Sequence, residues 1–233
     1  MIDLHIKKIW LVRHAQSRAQ TEEEYGIDAG LSKNGVRQAE RLAKVFNKTY
    51  FDRIYLSPLK RSRETFEASK IKGACVEFDS RLIEELPEGA YSHILPYDIL
   101  PDYARNDRHN AWLASARSRA VEFMDEIYSL NDRNILIVSH CGFLNHLLTV
   151  FISWHENDLI EKLKYCHMNN TGISVFSLGA DRRTDSMLAW NDVRHVHDLI
   201  TPDPLLPLVE TENHKAGASG IGKALGIFSG KKK

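Results

Sequence analysis

The amino-acid sequence predicts an α/β domain in which helices cover both faces of a doubly wound, mainly parallel sheet. The alternation of two kinds of segment along the chain leads to this prediction. Short apolar segments rich in β-branched residues alternate along the chain with segments whose apolar residues recur at helical spacing. This alternation favours a parallel sheet, because each helix returns the chain to the edge at which the previous strand began. The 233 residues are enough to bury one substantial core.

The first half of the chain contains three predicted strands and two predicted helices. The segment KKIWLVRH, residues 7–14, is a compact strand, and Ser32 is the predicted N-cap of the first helix. A second strand is expected at residues 52–57, and Pro58 is expected in the first turn of the next helix. Residues 74–79 form a short third strand. The first helix carries these apolar residues on one face: Val36, Ala39, Leu42, Ala43 and Phe46.

The second half of the chain continues the alternation. Proline and glycine residues mark turns in residues 84–110, which predicts a loop there. An amphipathic helix is expected over residues 112–130 and a buried strand, RNILIVSH, over residues 133–140. The segment GFLNHLLTVFISW then forms a helix, and GISVFSL and SMLAWN form a final pair of strands.

The domain is expected to cover residues 1–210, and residues 211–233 are expected to form a flexible, basic tail rich in glycine and lysine. The formal net charge of the chain is zero, but residues 215–233 hold five lysines and no acidic residue. The rest of the chain therefore carries a net charge of about −5, which argues against a nucleic-acid partner.

Two interpretations of the tail remain open. Ile221, Leu225 and Phe228 would share one face of a helix flanked by lysines, which is typical of segments that dock weakly on an anionic membrane or on a partner. The several glycines of the tail disfavour a helix and favour a disordered chain instead.

Three features predict a cytoplasmic protein. The cysteines (Cys75, Cys141 and Cys166) are three in number and lack CxxC spacing, which fits a reducing compartment better than a disulfide framework. No apolar stretch approaches the roughly 18 residues that span a bilayer. The first ten residues lack the apolar core of a secretory signal.

Two predicted strands end in histidine. The first delivers Arg13 and His14 at its tip, and RNILIVSH delivers His140. Arg61 follows shortly after the second strand. Because ligands of open α/β sheets collect beyond the carboxyl ends of parallel strands, we expect these four side chains to meet at one edge of the sheet.

This combination of side chains suits a phosphoryl group. The planar guanidinium groups of arginine match a tetrahedral oxyanion, and backbone N–H groups at Cys141 and Gly142, which open a helix, add affinity for anions. A neutral imidazole is nucleophilic, so His14 can attack phosphorus directly. Cationic groups around the phosphoryl oxygens stabilise the transition state, so neither a metal nor another cofactor is expected.

Four segments carry a resemblance to a known family: LVRHAQS, LSKNGVRQAERLAKVF, LSPLKRSRET and VSHCGFLNHL. The chain resembles the histidine phosphatase superfamily, which includes the cofactor-dependent phosphoglycerate mutases, and the match extends to about residue 180. The resemblance implies a phosphoglycerate mutase-like fold and a phosphorylated His14, with Arg13, Arg61 and His140 around the phosphoryl group. It also implies that a carboxylic acid after the third strand protonates the leaving oxygen.

The resemblance points to Glu84 as this acid, through the sequence Leu82-Ile83-Glu84, while Glu85 and Glu88 remain alternatives. Its protonated form would act as a general acid, and its ionised form would then activate water.

Two substrate-binding positions depart from the usual family pattern. Gln20 stands where an asparagine is frequent and can still donate a hydrogen bond to phosphate. Cys141 stands where glycine is common after the second histidine, and its backbone N–H is retained.

The resulting prediction is a phosphomonoesterase, independent of metal, that acts on a small phosphorylated metabolite or a phosphoprotein. The loop over residues 86–111 is expected to cover the site and to select the substrate. A phosphoglycerate-type mutase is the alternative with the same chemistry, but the loop is short and lacks the pattern of the mutase insertion. A module that binds phosphorylated ligands without turnover is the alternative of another class.

Overall fold

The computed structural model describes residues 6–24, 28–84, 109–153 and 166–200. Within these ranges the chain forms six strands and four α-helices. In chain order they are β1 (Lys7–Arg13), α1 (Lys33–Val45), β2 (Phe51–Leu56), α2 (Lys60–Ser69), β3 (Gly73–Phe78), α3 (His109–Ser129), β4 (Asn134–Ser139), α4 (Cys141–Ser153), β5 (Ile173–Leu178) and β6 (Ser186–Asp192).

The strands form one sheet in the order β3-β2-β4-β1-β5-β6. The first four strands of this order are parallel, while β5 is antiparallel to β1 and β6 is antiparallel to β5. The predicted mainly parallel sheet and the predicted final strand pair are therefore confirmed. In the pairing of β1 with β4, Arg13 lies opposite Ser139. The next residue of each strand, His14 and His140, consequently emerges at the same edge of the sheet.

Helices cover both faces of the sheet, as predicted. Alternate residues of a strand point to opposite faces, so Leu11 and Ile137 pack with α3 and α4 through residues such as Phe123. Val12 and Leu136 face the other way and pack with α1. Fully burying a side chain of this size contributes roughly 1.5 to 3 kcal/mol, so both helical layers are tied to the sheet by hydrophobic contact.

The inward face of α1 differs from the predicted one. Ala39 and Leu42 are buried as expected, but Val36 is 40% exposed and Gln38 is buried in its place. The reason is a close contact between α1 and the loop after β1: a Cβ atom at Gly35 would lie 2.0 Å from a backbone oxygen of that loop. Gln38 accepts a hydrogen bond from the backbone N–H of this loop, which a valine could not do.

Helix α2 begins slightly later than predicted. Its N-cap is Leu59, and Pro58 therefore precedes the helix instead of occupying its first turn. The carboxylate of Asp28 accepts the backbone N–H of Lys60 at 2.6 Å, so a residue from the loop after β1 supplies the acceptor that this helix end needs.

Some predictions concern residues outside the described ranges. Helix α3 begins at His109, so the end of the predicted loop 86–111 is helical, while its earlier residues lie outside the described part of the chain. The tail, residues 211–233, also lies outside it, and the predictions for both segments stay predictions. Among the described residues, no helix combines the length and the apolar character needed to cross a membrane.

Candidate active site

The four side chains expected to converge do meet at the carboxyl edge of the parallel strands. The imidazole rings of His14 and His140 have centroids 5.0 Å apart. The Nε atom of Arg61 lies 3.1 Å from Nε2 of His14, and Arg13 immediately precedes this histidine at the end of β1. All four side chains are buried, with exposed fractions between 0% and 8%. Two guanidinium groups and two imidazoles gathered at the carboxyl ends of parallel strands make this cluster a candidate anion site.

The hydrogen bonds of His14 define which ring nitrogen can react. Its Nδ1 lies 2.7 Å from the carbonyl oxygen of Ala15 and donates to it, so Nε2 carries the lone pair and accepts the Nε–H of Arg61. Burial, followed by the charges of Arg61 and Arg13, lowers the pKa of His14 well below its ordinary value. The imidazole is therefore neutral at physiological pH, with Nε2 available to an electrophile that takes over the Arg61 donor.

Residues 168–171, shortly before β5, hold the Arg13-His14 pair in place. Met168 accepts a hydrogen bond from the guanidinium of Arg13, and the side-chain amide of Asn170 donates to the backbone oxygen of His14 at 2.9 Å. The backbone N–H of Thr171 donates to the backbone oxygen of Arg13 at 3.0 Å. Thr171 has a φ of 56°, in the left-handed region that disfavours a β-branched residue by roughly 1 to 3 kcal/mol. The surrounding contacts thus maintain a strained backbone directly behind His14.

Gln20 lies beside the residues that hold Arg13 and His14 in place. Its side-chain amide forms a reciprocal pair with that of Asn170, at 3.2 Å in both directions, and it also accepts the backbone N–H of Ser17. Its role as a phosphate donor stays a prediction. In this structure the Gln20 amide stabilises the position of Asn170, which in turn holds His14.

The first turn of α2 places Arg61. The hydroxyl of Ser62 donates to the backbone of β4 at 2.8 Å, and the hydroxyl of Thr65 accepts the backbone N–H of Ala15 at 2.9 Å. Burial lowers the pKa of Arg61 from its ordinary value, while the charges of Glu84 and Asp28 oppose this change. An arginine remains charged after a decrease of this kind, so Arg61 brings a full positive charge to Nε2 of His14.

Ser57, which the sequence analysis did not single out, contacts the imidazole ring of His140. Its hydroxyl lies 2.7 Å from Nε2 of His140. Burial, followed by the charge of Arg61, lowers the pKa of His140 well below its ordinary value, so the ring is neutral. If the hydroxyl donates to Nε2, the proton of the ring sits on Nδ1, which is buried and makes no hydrogen bond within the described residues. This N–H is suited to an oxygen of a bound anion. The position of Ser57 directly after β2, on the same edge, is the signal that could have revealed it.

Replacing Ser57 by alanine is expected to lower kcat/KM for phosphomonoesters about 10- to 100-fold, because His140 would lose its fixed tautomer. The nitrogen NMR signals of His140 would shift from the Nδ1–H form to a mixture of tautomers. Ser69→Ala is the matched control, because Ser69 is a buried serine whose hydroxyl also bonds a neighbouring group, at 2.7 Å from the Phe66 oxygen. Unchanged tautomers in Ser57→Ala would contradict this role.

Glu84 lies at the N-terminus of α4. Its carboxylate accepts the backbone N–H of Phe143 at 3.1 Å and, more weakly, that of Gly142 at 3.4 Å. We expected the N–H of Gly142 to face an anion directly, whereas here it faces this carboxylate. The charge of Glu84 opposes the lowering of the Arg61 pKa by burial. The alternatives Glu85 and Glu88 lie outside the described residues.

Cys141 is the first residue of α4, and its side chain belongs to the hydrophobic core between α3, α4 and the sheet. The side chain thus fills space in the core, and the backbone N–H of Cys141 stays the predicted contact to the substrate. Among the residues that the structure describes, no group of three or more His, Cys, Asp or Glu side chains is arranged to hold a metal ion.

Comparisons with known proteins identify the family of this chain. Residues 9–193 match the family described as "Histidine phosphatase superfamily (branch 1)". The chain is 28% identical over 211 residues to putative phosphoserine phosphatase 2 of Hydrogenobacter thermophilus, covering 83% of this chain and 100% of that protein. It is also 28% identical over 172 residues to an adenosylcobalamin/alpha-ribazole phosphatase of Salmonella typhimurium, covering 64% of this chain and 84% of that protein.

Solved structures share the fold. A phosphoserine phosphatase mutant of Entamoeba histolytica in complex with phosphoserine superposes with a TM-score of 0.58 at 22% identity, covering 82% of this chain and 99% of that one. A putative alpha-ribazole-5'-P phosphatase of Escherichia coli gives the same TM-score of 0.58 at 19% identity, with 80% and 97% coverage.

Proposed function

Since this chain belongs to the histidine phosphatase superfamily and is a phosphomonoester hydrolase, we propose that it acts through a covalent phosphohistidine on His14. The observation that carries the proposal is the environment of Nε2 in His14. This nitrogen holds the lone pair of a neutral, buried imidazole and faces Arg61 at 3.1 Å. It is therefore placed where an anionic phosphoryl group would meet both a nucleophile and a cation.

In the first step, Nε2 of His14 attacks phosphorus, and the bond between phosphorus and the leaving oxygen breaks. The protonated carboxyl of Glu84 transfers its proton to this oxygen, so the product leaves as a neutral alcohol. Arg13, Arg61 and the Nδ1–H of His140 stabilise the charge on the three remaining phosphoryl oxygens.

In the second step, water attacks the phosphohistidine. The carboxylate that Glu84 has become accepts a proton from this water, the bond between phosphorus and Nε2 breaks, and inorganic phosphate leaves. His14 returns to its neutral form and Glu84 to its protonated form, so the cycle closes without another reactant.

We propose a small phosphorylated metabolite as the substrate, with phosphoserine as the first candidate. Support comes from the relatives named as phosphoserine phosphatases. A phosphoprotein is the alternative. A cytoplasmic location is also proposed, because Cys75, Cys141 and Cys166 form no disulfide, as is usual in a reducing compartment.

The proposal is tested by measuring phosphate release from phosphoserine, alpha-ribazole phosphate, a phosphoserine peptide and p-nitrophenyl phosphate. A coupled mutase assay with 3-phosphoglycerate and bisphosphoglycerate is run in parallel. We expect phosphoserine to be hydrolysed faster than the peptide, and hydrolysis to exceed mutase turnover. Mutase turnover above hydrolysis would support the mutase instead. Binding of phosphate without release from any substrate would support a module that binds but does not catalyse.

A further inference from the structure

The backbone that leads into Glu84 is held by three hydrogen bonds to consecutive carbonyl oxygens. The guanidinium of Arg119 donates to the oxygens of Arg81 and Ile83, at 3.0 and 2.9 Å. The oxygen between them, that of Leu82, accepts the hydroxyl of Ser139 at 2.7 Å. Leu82 and Ile83 are fully buried, so water does not supply these donors. The side chains of Arg119 and Ser139 therefore determine where the chain places its next residue, Glu84.

Arg119 is an unusual residue for this position. It lies on α3, is only 2% exposed, and is the largest fully buried side chain among the residues that the structure describes. Taking a guanidinium out of water is energetically costly, so its burial calls for a specific function. An apolar side chain could fill the same space, but it would deprive the carbonyl oxygens of Arg81 and Ile83 of these donors, and Ile83 is fully buried.

Arg119 also contacts the other group that holds Glu84. Its guanidinium lies over the ring of Phe143, 5.1 Å from the ring centroid. The backbone N–H of Phe143 is the one that donates to the Glu84 carboxylate at 3.1 Å. One side chain thus links the backbone that precedes Glu84 with the helix end that receives its carboxylate.

We propose that Arg119 is a positioning residue for Glu84, which holds the carboxyl group at the distance that proton transfer to the leaving oxygen requires. The proposal rests on the proposed role of Glu84 as the general acid. Proton transfer is sensitive to geometry, and a displacement of about 1 Å can cost about 100-fold in rate. Loss of Arg119 should therefore affect the reaction at the leaving group more than at the phosphoryl oxygens.

The test compares kcat/KM across substrates whose leaving groups differ in their need for a proton, from dinitrophenyl phosphate to a simple alkyl phosphate. We expect Arg119→Gln to lower kcat/KM about 10- to 100-fold for the alkyl phosphate and less than about 3-fold for dinitrophenyl phosphate. A merely structural role would lower both values equally. Arg119 also lowers the pKa of His140, but the proposed role of His140 is at the phosphoryl group, which all these substrates share.

Arg117→Gln is the matched control, because Arg117 lies on the same helix and is exposed. Ser139→Ala is the second variant, and it tests the proposal if Arg119→Gln does not fold. We expect it to lower kcat/KM for the alkyl phosphate selectively as well, but by a smaller factor. Equal losses for all leaving groups, or no loss, would overturn the proposal.

Glu84→Gln distinguishes a failure of the acid assignment from a failure of the positioning role. If Glu84→Gln shows the selective loss and the Arg119 and Ser139 variants do not, only the positioning role fails. If Glu84→Gln shows none, the acid assignment fails and the positioning role with it.

Discussion

His14→Ala is expected to lower the hydrolysis of p-nitrophenyl phosphate by at least about 10⁴-fold, because removal of a nucleophile leaves only the binding groups to catalyse the reaction. Arg13, Arg61 and His140 remain in the variant, so phosphate should still bind. The covalent intermediate provides a second measurement. After rapid quenching under alkaline conditions, mass spectrometry should locate one phosphoryl group on the peptide that contains His14 in the wild type, and none in the variant.

His197→Ala is the control for this experiment, because His197 is an exposed histidine in the same chain. It should keep both full activity and the phosphorylated peptide. A His14→Ala enzyme with more than about a tenth of the wild-type rate would contradict the assignment of the nucleophile. A phosphoryl group found on another residue of the wild type would contradict it as well.

Glu84→Gln is expected to make the phosphoenzyme accumulate. The p-nitrophenolate ion leaves without a proton, so the first step should proceed at a nearly normal rate. The second step needs a carboxylate to accept a proton from water, and its rate should fall about 10²- to 10⁴-fold. Rapid mixing should therefore show a burst of one equivalent of p-nitrophenolate per enzyme, followed by a slow steady rate.

Glu40→Gln, at an exposed position of α1, should show neither the burst nor the slow phase. The same experiment compares the alternatives that the sequence leaves open. If Glu84→Gln behaves like the wild type, and Glu85→Gln or Glu88→Gln shows the burst, the acid is one of these neighbours. A burst in none of the three variants would mean that no carboxylate of this segment activates the water.

Local sequence patterns predicted most of the fold and the centre of the site. The apolar strands, the alternation of strands and helices, and the N-cap at Ser32 depend on residues close together in the chain. The meeting of His14 with His140 was also predictable, because parallel strands end at one edge of a sheet and each strand carries its histidine just beyond its last residue.

Contacts between segments that lie far apart in the sequence were harder to predict. The inward face of α1 was misjudged at Val36, because the closeness of that helix to the loop after β1 depends on tertiary packing. The pairing of Gln20 with Asn170 joins residues that lie 150 positions apart. No local pattern distinguishes such an amide from one that faces the substrate.

The sequence by itself determined the order of the strands and helices and the residue types at the strand ends, because hydrophobic periodicity and turn residues act over a few positions. Only the tertiary structure decided which nitrogen of His14 carries the lone pair, that Ser57 contacts His140, and how Arg119 holds the backbone before Glu84. These features depend on hydrogen bonds between groups brought together from different elements. Their strength and direction are set by distances of a few tenths of an ångström, and such distances exist only after the core has packed.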